Sequence, residues 1–298
     1  MARYLACFIG WMLACVSCQQ NEKEKHALQF NPEPAVIYQV HVSHKTEQRW
    51  TYQDKPWQVS DSFHMNYDVQ LLQKNDSLQL LQIRFVHFFV RTNSFTVNTV
   101  AENLPANKIQ LNPLLLYDYL LHFVRGKAIT VWMDKKGRPV EVHGTEAVMD
   151  SVARASGEPV QLVKRFLDDF IGDARIKDEL NQLFCFLPAR PKVVDQAWVE
   201  NILLTAKAPV KWSSNCVMQT LSGDTAYINC NSFISAKQGG DGKTYMKGKL
   251  AANILVDYNT GMPFTWTGES ETITETDNYD ITRHESIGMG ILRVRQSH

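Results

Sequence analysis

The chain has little that would announce an activity. Its 31 lysines and arginines balance 31 aspartates and glutamates, so there is no excess charge of either sign. No Lys/Arg cluster is present to follow a phosphate backbone, and nucleic acid is not expected as a partner. Nine histidines are scattered, and none forms an H-x-x-x-H or H-E-x-x-H pair. A zinc hydrolase site is therefore not visible, and no metal or cofactor is expected. There is no G-x-S-x-G elbow: Gly268-Glu269-Ser270-Glu271 lacks the second glycine. Gly242-Lys243-Thr244 ends like a phosphate loop, but Lys237 stands where the first glycine belongs. Strand-like alternation follows from Tyr245, where a phosphate loop needs a helix N-terminus. Neither Asp168-Asp169, on a helix edge, nor Glu269 and Glu271, on one strand face, makes a catalytic carboxylate pair. These absences together favour a protein that is not an enzyme.

Long apolar runs are also missing, with one exception. Met1-Ala2-Arg3 is followed by an apolar stretch from Tyr4 to Val16, then Ser17-Cys18 and the polar Gln19 to Lys25. The stretch is shorter than the roughly 20 residues a spanning helix needs. A cationic start, a short apolar core and a small residue before a cysteine form a bacterial lipoprotein signal at residues 1–17. Cys18 is the expected lipidation site, with Cys15 as the alternative. Acylation there would make the membrane a partner through an N-terminal anchor. It would place the protein in the cell envelope, at the outer membrane, facing the periplasm or the surface. Residues 18–34 read as a polar tether ending in Pro32 and Pro34.

Past the signal remain about 280 residues, enough for a sizeable core. Alternation begins at Val36, with strands expected near 36–43, 47–57, 62–73 and 78–91. Phe85 to Val90 is apolar on both faces, so it is either buried on both or lines a cavity on one. A helix is expected over 113–124, then a hairpin turning at Asp134-Lys135-Lys136-Gly137. Residues 145–187 carry helical periodicity, with Thr145 and Asp173 as caps and Gly157 as a stop. Six strands follow, near 197–206, 209–221, 225–236, 244–257, 262–275 and 279–294.

The expected fold class is α+β: curved antiparallel β-meander sheets, with the helical insert at about 145–187 packed against them. The plan reads as duplicated. Val69, Asp76 and Phe85 match Val217, Asp224 and Phe233 at an offset of 148, and Asp134-x-x-Gly137 resembles Asp257-x-x-x-Gly261. Common turn chemistry would produce the same matches. Trp132, Trp198, Trp212 and Trp266 are candidate core residues, and Phe85, Phe89, Trp132 and Trp266 are candidates to line an apolar pocket for a hydrophobic ligand. The alternative is a structural or protein-interaction role with no small ligand and an unidentified protein partner.

Cys216 and Cys230 lie symmetrically about Gly223. A three-residue hairpin loop there sets them opposite each other and makes a disulfide feasible. A two-residue loop shifts the register by one and turns the sulfurs to opposite faces. Cys185, among Leu183, Phe184 and Phe186, reads as a buried apolar cysteine.

Phe186-Leu187-Pro188-x-x-Pro191-x-Val193-Val194-Asp195-x-x-Trp198 resembles the F-x-P-x-x-P-V-x-x-G-D-x-W junction of an uncharacterised family of Bacteroidetes-type lipoproteins. The hairpin Asp134 to Val140, followed by Val142-x-Gly144, resembles that family's lead into its helices. Here Asp195-Gln196-Ala197 replaces the usual Gly-Asp pair, so the turn is expected to differ. The resemblance implies an envelope address and a β-plus-helix layout, and it supplies no catalytic residues.

Overall fold

A computed structural model describes residues 25–92, 95–98, 113–205, 209–237, 245–275 and 280–295. Among the described residues twelve strands form one antiparallel sheet. They are β1 (Val36–Tyr52), β2 (Lys55–Lys74), β3 (Leu78–Thr92), β4 (Phe95–Asn98), β5 (Ala128–Asp134), β6 (Pro139–His143), β7 (Ala197–Leu204), β8 (Val210–Ser222), β9 (Thr225–Lys237), β10 (Tyr245–Asp257), β11 (Pro263–Glu275) and β12 (Asp280–Arg295). Among the described residues four short helices are interspersed: α1 (Pro113–Val124), α2 (Thr145–Ser156), α3 (Val160–Ile171) and α4 (Asp173–Leu183). The spatial order is β6-β5-β3-β2-β1-β12-β11-β10-β9-β8-β7, with β4 paired to β3 off this path.

This overturns the expected α+β class. The protein is mostly β, built on one continuous sheet rather than on sheets with a central helical insert packed against them. The reason lies in strand length. Strands of up to 20 residues twist and coil enough for the sheet to fold back over its own buried face, so no separate helical layer is needed to cover it.

The curl can be read from a single contact. Eleven strands laid flat at about 4.8 Å spacing would put the two edges roughly 48 Å apart. Arg138, just before β6, nevertheless meets Glu200 of β7 at 3.2 Å. Helix α4 lies between these two edges. Its Lys177 donates to the Val140 carbonyl of β6 at 3.0 Å, and its Asp178 accepts from the Thr205 amide past β7 at 2.7 Å. A helix placed there protects both edges from adventitious strand pairing.

Local details refine the expected elements. The three strands expected over 36–73 are two long ones, β1 and β2, turning at Gln53-Asp54, with Trp50 stacked on Trp57 across the hairpin. Helix α2 is capped by Gly144 in the left-handed region rather than by Thr145, and α4 by Gly172 rather than by Asp173. Thr145 instead donates its hydroxyl to the Asp173 carboxylate. Asp195, standing at the junction's glycine position, adopts φ +67°. It thus takes the conformation a glycine would supply, which aspartate tolerates better than most residues.

The stretch expected to be the end of the tether packs onto the body. Leu28 and Phe30 are fully buried, and Phe30 meets the Phe184 ring at 4.8 Å. The amides of Phe30 and Asn31 donate to the carbonyls of Lys135 and Thr260. Gly261 (φ +65°) permits this approach, since a Cβ there would stand 2.3 Å from the Gln29 carbonyl oxygen.

The two matched turn pairs occupy equivalent places in two meanders, β1-β2-β3-β5-β6 and β7-β8-β9-β10-β11. The residue match at offset 148 does not survive as a match of faces: Phe85 is fully buried, whereas Phe233 is 62% exposed. The β2–β3 turn holds three residues, 75–77, and the β8–β9 turn holds two. The exchange precedes the turn, since Val69 is buried and Val217 only half-buried; faces agree instead at an offset of 147, which matches Val69 with Cys216 and Phe85 with Ser232, all buried.

Candidate functional site

The site grows out of the buried sheet face. In register across β2, β1, β12, β11 and β10, one row of side chains reads Met65, Val42, Met289, Trp266, Ile254. Two residues further along, the row reads Phe63, His44, Ile287, Gly268, Ala252, and it continues onto Cys230 and Cys216. The next row is polar: Asp61, Thr46, Glu285, Ser270. The face therefore passes from apolar, through small, to polar along the strands. Small side chains in the middle row leave room. Gly268 is needed there because the Trp266 indole leans along β11, and a Cβ at 268 would stand 2.9 Å from its Cη2.

The room is a cleft of about 480 Å³, within the usual size of small-molecule sites. Phe63, Met65, Trp212, Ile234, Leu250 and Ile287 line it from the sheet; α3 adds Asp169 and Phe170, and α4 adds Arg175, Asp178, Glu179 and Gln182. An annex of about 40 Å³ shares His44, Arg175, Glu179, Gln182 and Ile287 with the cleft and is walled by Val42, Tyr67, Met289 and Trp266.

The charges along the cleft are paired. Glu285 lies 3.2 Å from His44 Nδ1 and accepts from Arg283 Nη2 at 3.2 Å. Arg175 meets Glu179 at 3.1 Å, one helical turn away on α4. Burial alone would push the Glu285 carboxyl up. The His44 hydrogen bond and the Arg283 and Arg175 charges outweigh it and hold the group below the ordinary carboxylate value. Asp61 goes the other way, raised by burial against the opposing pull of Arg283. Among the described residues no group of three or more His, Cys, Asp or Glu side chains could hold a metal ion.

The four residues expected to line an apolar pocket are not brought together. Phe85 and Trp266 are buried, and Trp266 walls the annex. Phe89 is only half-buried, against the His64 ring at 5.5 Å. A bulge between Asn66 and Tyr67 leaves Val86 unpaired, so Phe85 and Phe88 share the buried face and Phe89 turns to the other. Trp132 is also half-buried, because Ile129, Val131 and Met133 take the buried face of β5. Trp198 and Trp212 are buried as expected of core residues.

Cys216 and Cys230 face each other in the β8–β9 register and are disulfide-bonded, with Cα atoms 4.1 Å apart. The loop is the two-residue form, Gly223-Asp224, closing Ser222 against Thr225. A bulge between Met218 and Thr220 then moves the register by one, which returns both sulfurs to one face. Cys185 is free and buried; burial raises its thiol pKa, against a hydrogen bond from Ser214 Oγ. Cys18, Cys15 and residues 238–244, which contain Gly242-Lys243-Thr244, lie outside the described residues.

Sequence reasoning missed His44, Arg283, Glu285, Arg175 and Glu179. His44 and Glu285 are 241 residues apart, and only the β1–β12 register joins them. No local motif could have found them.

Fold and cleft together define the class: a mostly β protein whose single curled antiparallel sheet encloses an apolar cleft with a paired-charge rim. Residues 76–263 match a family of unknown function, DUF6263, and the chain belongs to that family. No protein of curated function matches it. Among solved structures it is similar to Ail, the attachment invasion locus protein of Yersinia pestis, at 5% identity, covering 87% of this chain and 98% of that one with a TM-score of 0.16. The COG4313 outer membrane channel from Pseudomonas putida F1 is 9% identical, with 89% and 98% covered and a TM-score of 0.25. DynF from the dynemicin biosynthesis pathway of Micromonospora chersina is 5% identical, with 90% and 85% covered and a TM-score of 0.19. At such scores these likenesses carry no argument about function. Among the described residues no helix is long and apolar enough to cross a membrane, which says nothing of strands.

Proposed function

We propose that the protein is a non-catalytic, lipid-anchored protein of the bacterial envelope that holds a hydrophobic ligand in the cleft between the curled sheet and helices α3 and α4. The observation that carries this reading is the cleft itself, about 480 Å³ in volume, with aromatic and aliphatic walls from the sheet and α3. A core built only for stability is packed to near-crystalline density and leaves few voids larger than a water molecule. The envelope address rests on the first eighteen residues, where Ser17-Cys18 separates an apolar run from a polar one. Acylation of Cys18 would hold the protein at the outer membrane by more than one chain.

Native mass spectrometry of the purified protein tests the ligand. A co-purifying apolar molecule that solvent extraction removes is expected, and a ligand-free protein that takes up no apolar probe would refute the reading. Metabolic labelling with a radioactive fatty acid tests the anchor: label should be lost in Cys18→Ser and kept in Cys15→Ser.

A second reading, interaction with a protein partner, has one observation in its favour. Val199 and Leu203 of edge strand β7 and Phe233 of β9 are 57%, 52% and 62% exposed. Crosslinking in whole cells from a photoreactive residue at position 203 would capture the partner, and Phe233→Ser would abolish that capture.

A further inference from the structure

We propose that the cleft takes an uncharged apolar ligand bearing a carbonyl oxygen, and that this oxygen accepts a hydrogen bond from the Trp266 indole N–H. The inference rests on the cleft being a binding site and adds the chemical class of what it binds.

Three tryptophans are buried among the described residues, and two have partners for their N–H. Trp198 Nε1 donates to the Phe186 carbonyl at 3.1 Å, and Trp212 Nε1 donates to Ser214 Oγ at 2.8 Å. Trp266 differs. It is 4% exposed, and its Nε1 is buried with no hydrogen-bond partner among the described residues. A buried donor left unpaired costs more than an ordinary hydrogen bond contributes, so native proteins rarely keep one. An indole nitrogen only donates, so its partner must be an acceptor. The indole walls the annex that shares five lining residues with the main cleft. A polar group at the end of an apolar ligand in the annex lies against this indole, and reaching its N–H requires a local side-chain adjustment, because the nitrogen is covered.

The charges decide between an anionic and a neutral acceptor. A carboxylate or phosphate head would need a cation not already engaged. Arg175 is held by Glu179 at 3.1 Å, and Arg283 by Glu285 at 3.2 Å, so their charges are matched, although Arg283 Nε is itself buried without a partner among the described residues and is a second donor open to a neutral acceptor. His44 shares Glu285 at 3.2 Å, and Asp169 and Asp178 add further negative charge to the lining. An anion entering the cleft would lose its hydration and meet a carboxylate beside every arginine. A ketone, ester or quinone oxygen meets neither penalty, and the apolar walls take the rest of the molecule.

The test uses Prodan, a naphthalene carrying a propionyl ketone, and 2-dimethylaminonaphthalene, which lacks the ketone, with the full chain in both cases. Fluorescence titration should show Prodan binding, and Trp266→Phe should weaken it about fivefold to tenfold while leaving the ketone-free analogue within about twofold. Equal affinities of the two proteins for Prodan would overturn the carbonyl assignment and leave the cleft reading standing. Failure of both probes to bind the unaltered protein would overturn the cleft reading as well. Should Trp266→Phe not fold, the carbonyl stretch of Prodan bound to the unaltered protein decides. A shift to lower frequency supports the hydrogen bond, and a free-ketone frequency overturns it. In competition, methyl dodecanoate should displace Prodan at lower concentration than dodecanoate, and the reverse order would overturn the preference for an uncharged ligand.

Discussion

Replacing both Cys216 and Cys230 by alanine should destabilise the protein by about 3 kcal/mol. The two residues are 14 apart in sequence, and closing a loop of about that length in the unfolded chain is worth roughly 3 kcal/mol in the chain-entropy account. Both side chains are essentially fully buried, so alanine is the right replacement, since serine would add two hydroxyls to an apolar row. For a chain of this size, each kcal/mol lowers Tm by about 2–4 °C, which predicts a fall of roughly 6–12 °C. Urea unfolding with and without a thiol reductant is the assay. The unaltered protein should lose that stability on reduction, whereas the double variant should ignore the reductant and unfold where the reduced protein does. Cys185 makes no disulfide, so it does not confuse the comparison. Deleting Gln219 provides a sharper control. It removes only the unpaired residue of the bulge between Met218 and Thr220, so Met218 keeps Ile228, Cys216 keeps Cys230, and the dependence on reductant should persist. An unaltered protein whose midpoint ignores reductant, with both thiols free in peptide mapping, would refute the reasoning.

Phe85→Ala should cost about 3–5 kcal/mol, since the ring is fully buried beside Phe88. Phe89→Ala, on the opposite and half-exposed face, should cost less than about half of that in the same urea titration. Glu285 gives the fold an acid-side dependence. Its folded-state pKa lies below the ordinary value of 4.5, so its contribution is present above that value and is lost as pH falls through the lower, folded one. Glu285→Gln should flatten the loss of stability between about pH 5 and pH 3, and an unchanged slope would count against the His44–Glu285–Arg283 cluster. Gly261→Ala should cost about 2 kcal/mol or more, since it strains a left-handed residue and pushes on the Gln29 backbone; early proteolysis near residue 29 is the readout. Asp195→Val should cost about 1–2 kcal/mol at φ +67°, while Asp195→Gly should stay within about 0.5 kcal/mol of the unaltered protein in thermal melts.

Much of the strand layout was legible because period-two alternation is a local signal. The six strands of the second half begin and end within a few residues of where alternation places them. The long β1–β2 hairpin was not. Its outer half, from Glu47 to Gln58, is polar on both faces apart from Trp50, Tyr52, Pro56 and Trp57, so the strand expected at 47–57 ran straight through the turn at Gln53-Asp54. The helices were read correctly as helices and wrongly as a layer, because periodicity reports which face is buried and not what buries it. Leu28 and Phe30 were hidden inside a polar context, where two apolar residues are too few to signal a packed segment.

The amino-acid order by itself determined most of the strands, the described helices and the hairpin at Gly137, because each depends on residues within a turn or two of one another. Only the tertiary structure decided which faces those elements shared. A turn of two residues against three, and a bulge at Gln219 or Val86, change side by one residue at a time, and these small displacements settle whether Cys216 meets Cys230 and whether Phe89 looks inward. The cleft is a product of the same kind. His44, Trp266, Arg283 and the residues of α4 meet because a sheet of long strands curls until its edges flank one helix, a property of the whole sheet that no stretch of the sequence contains.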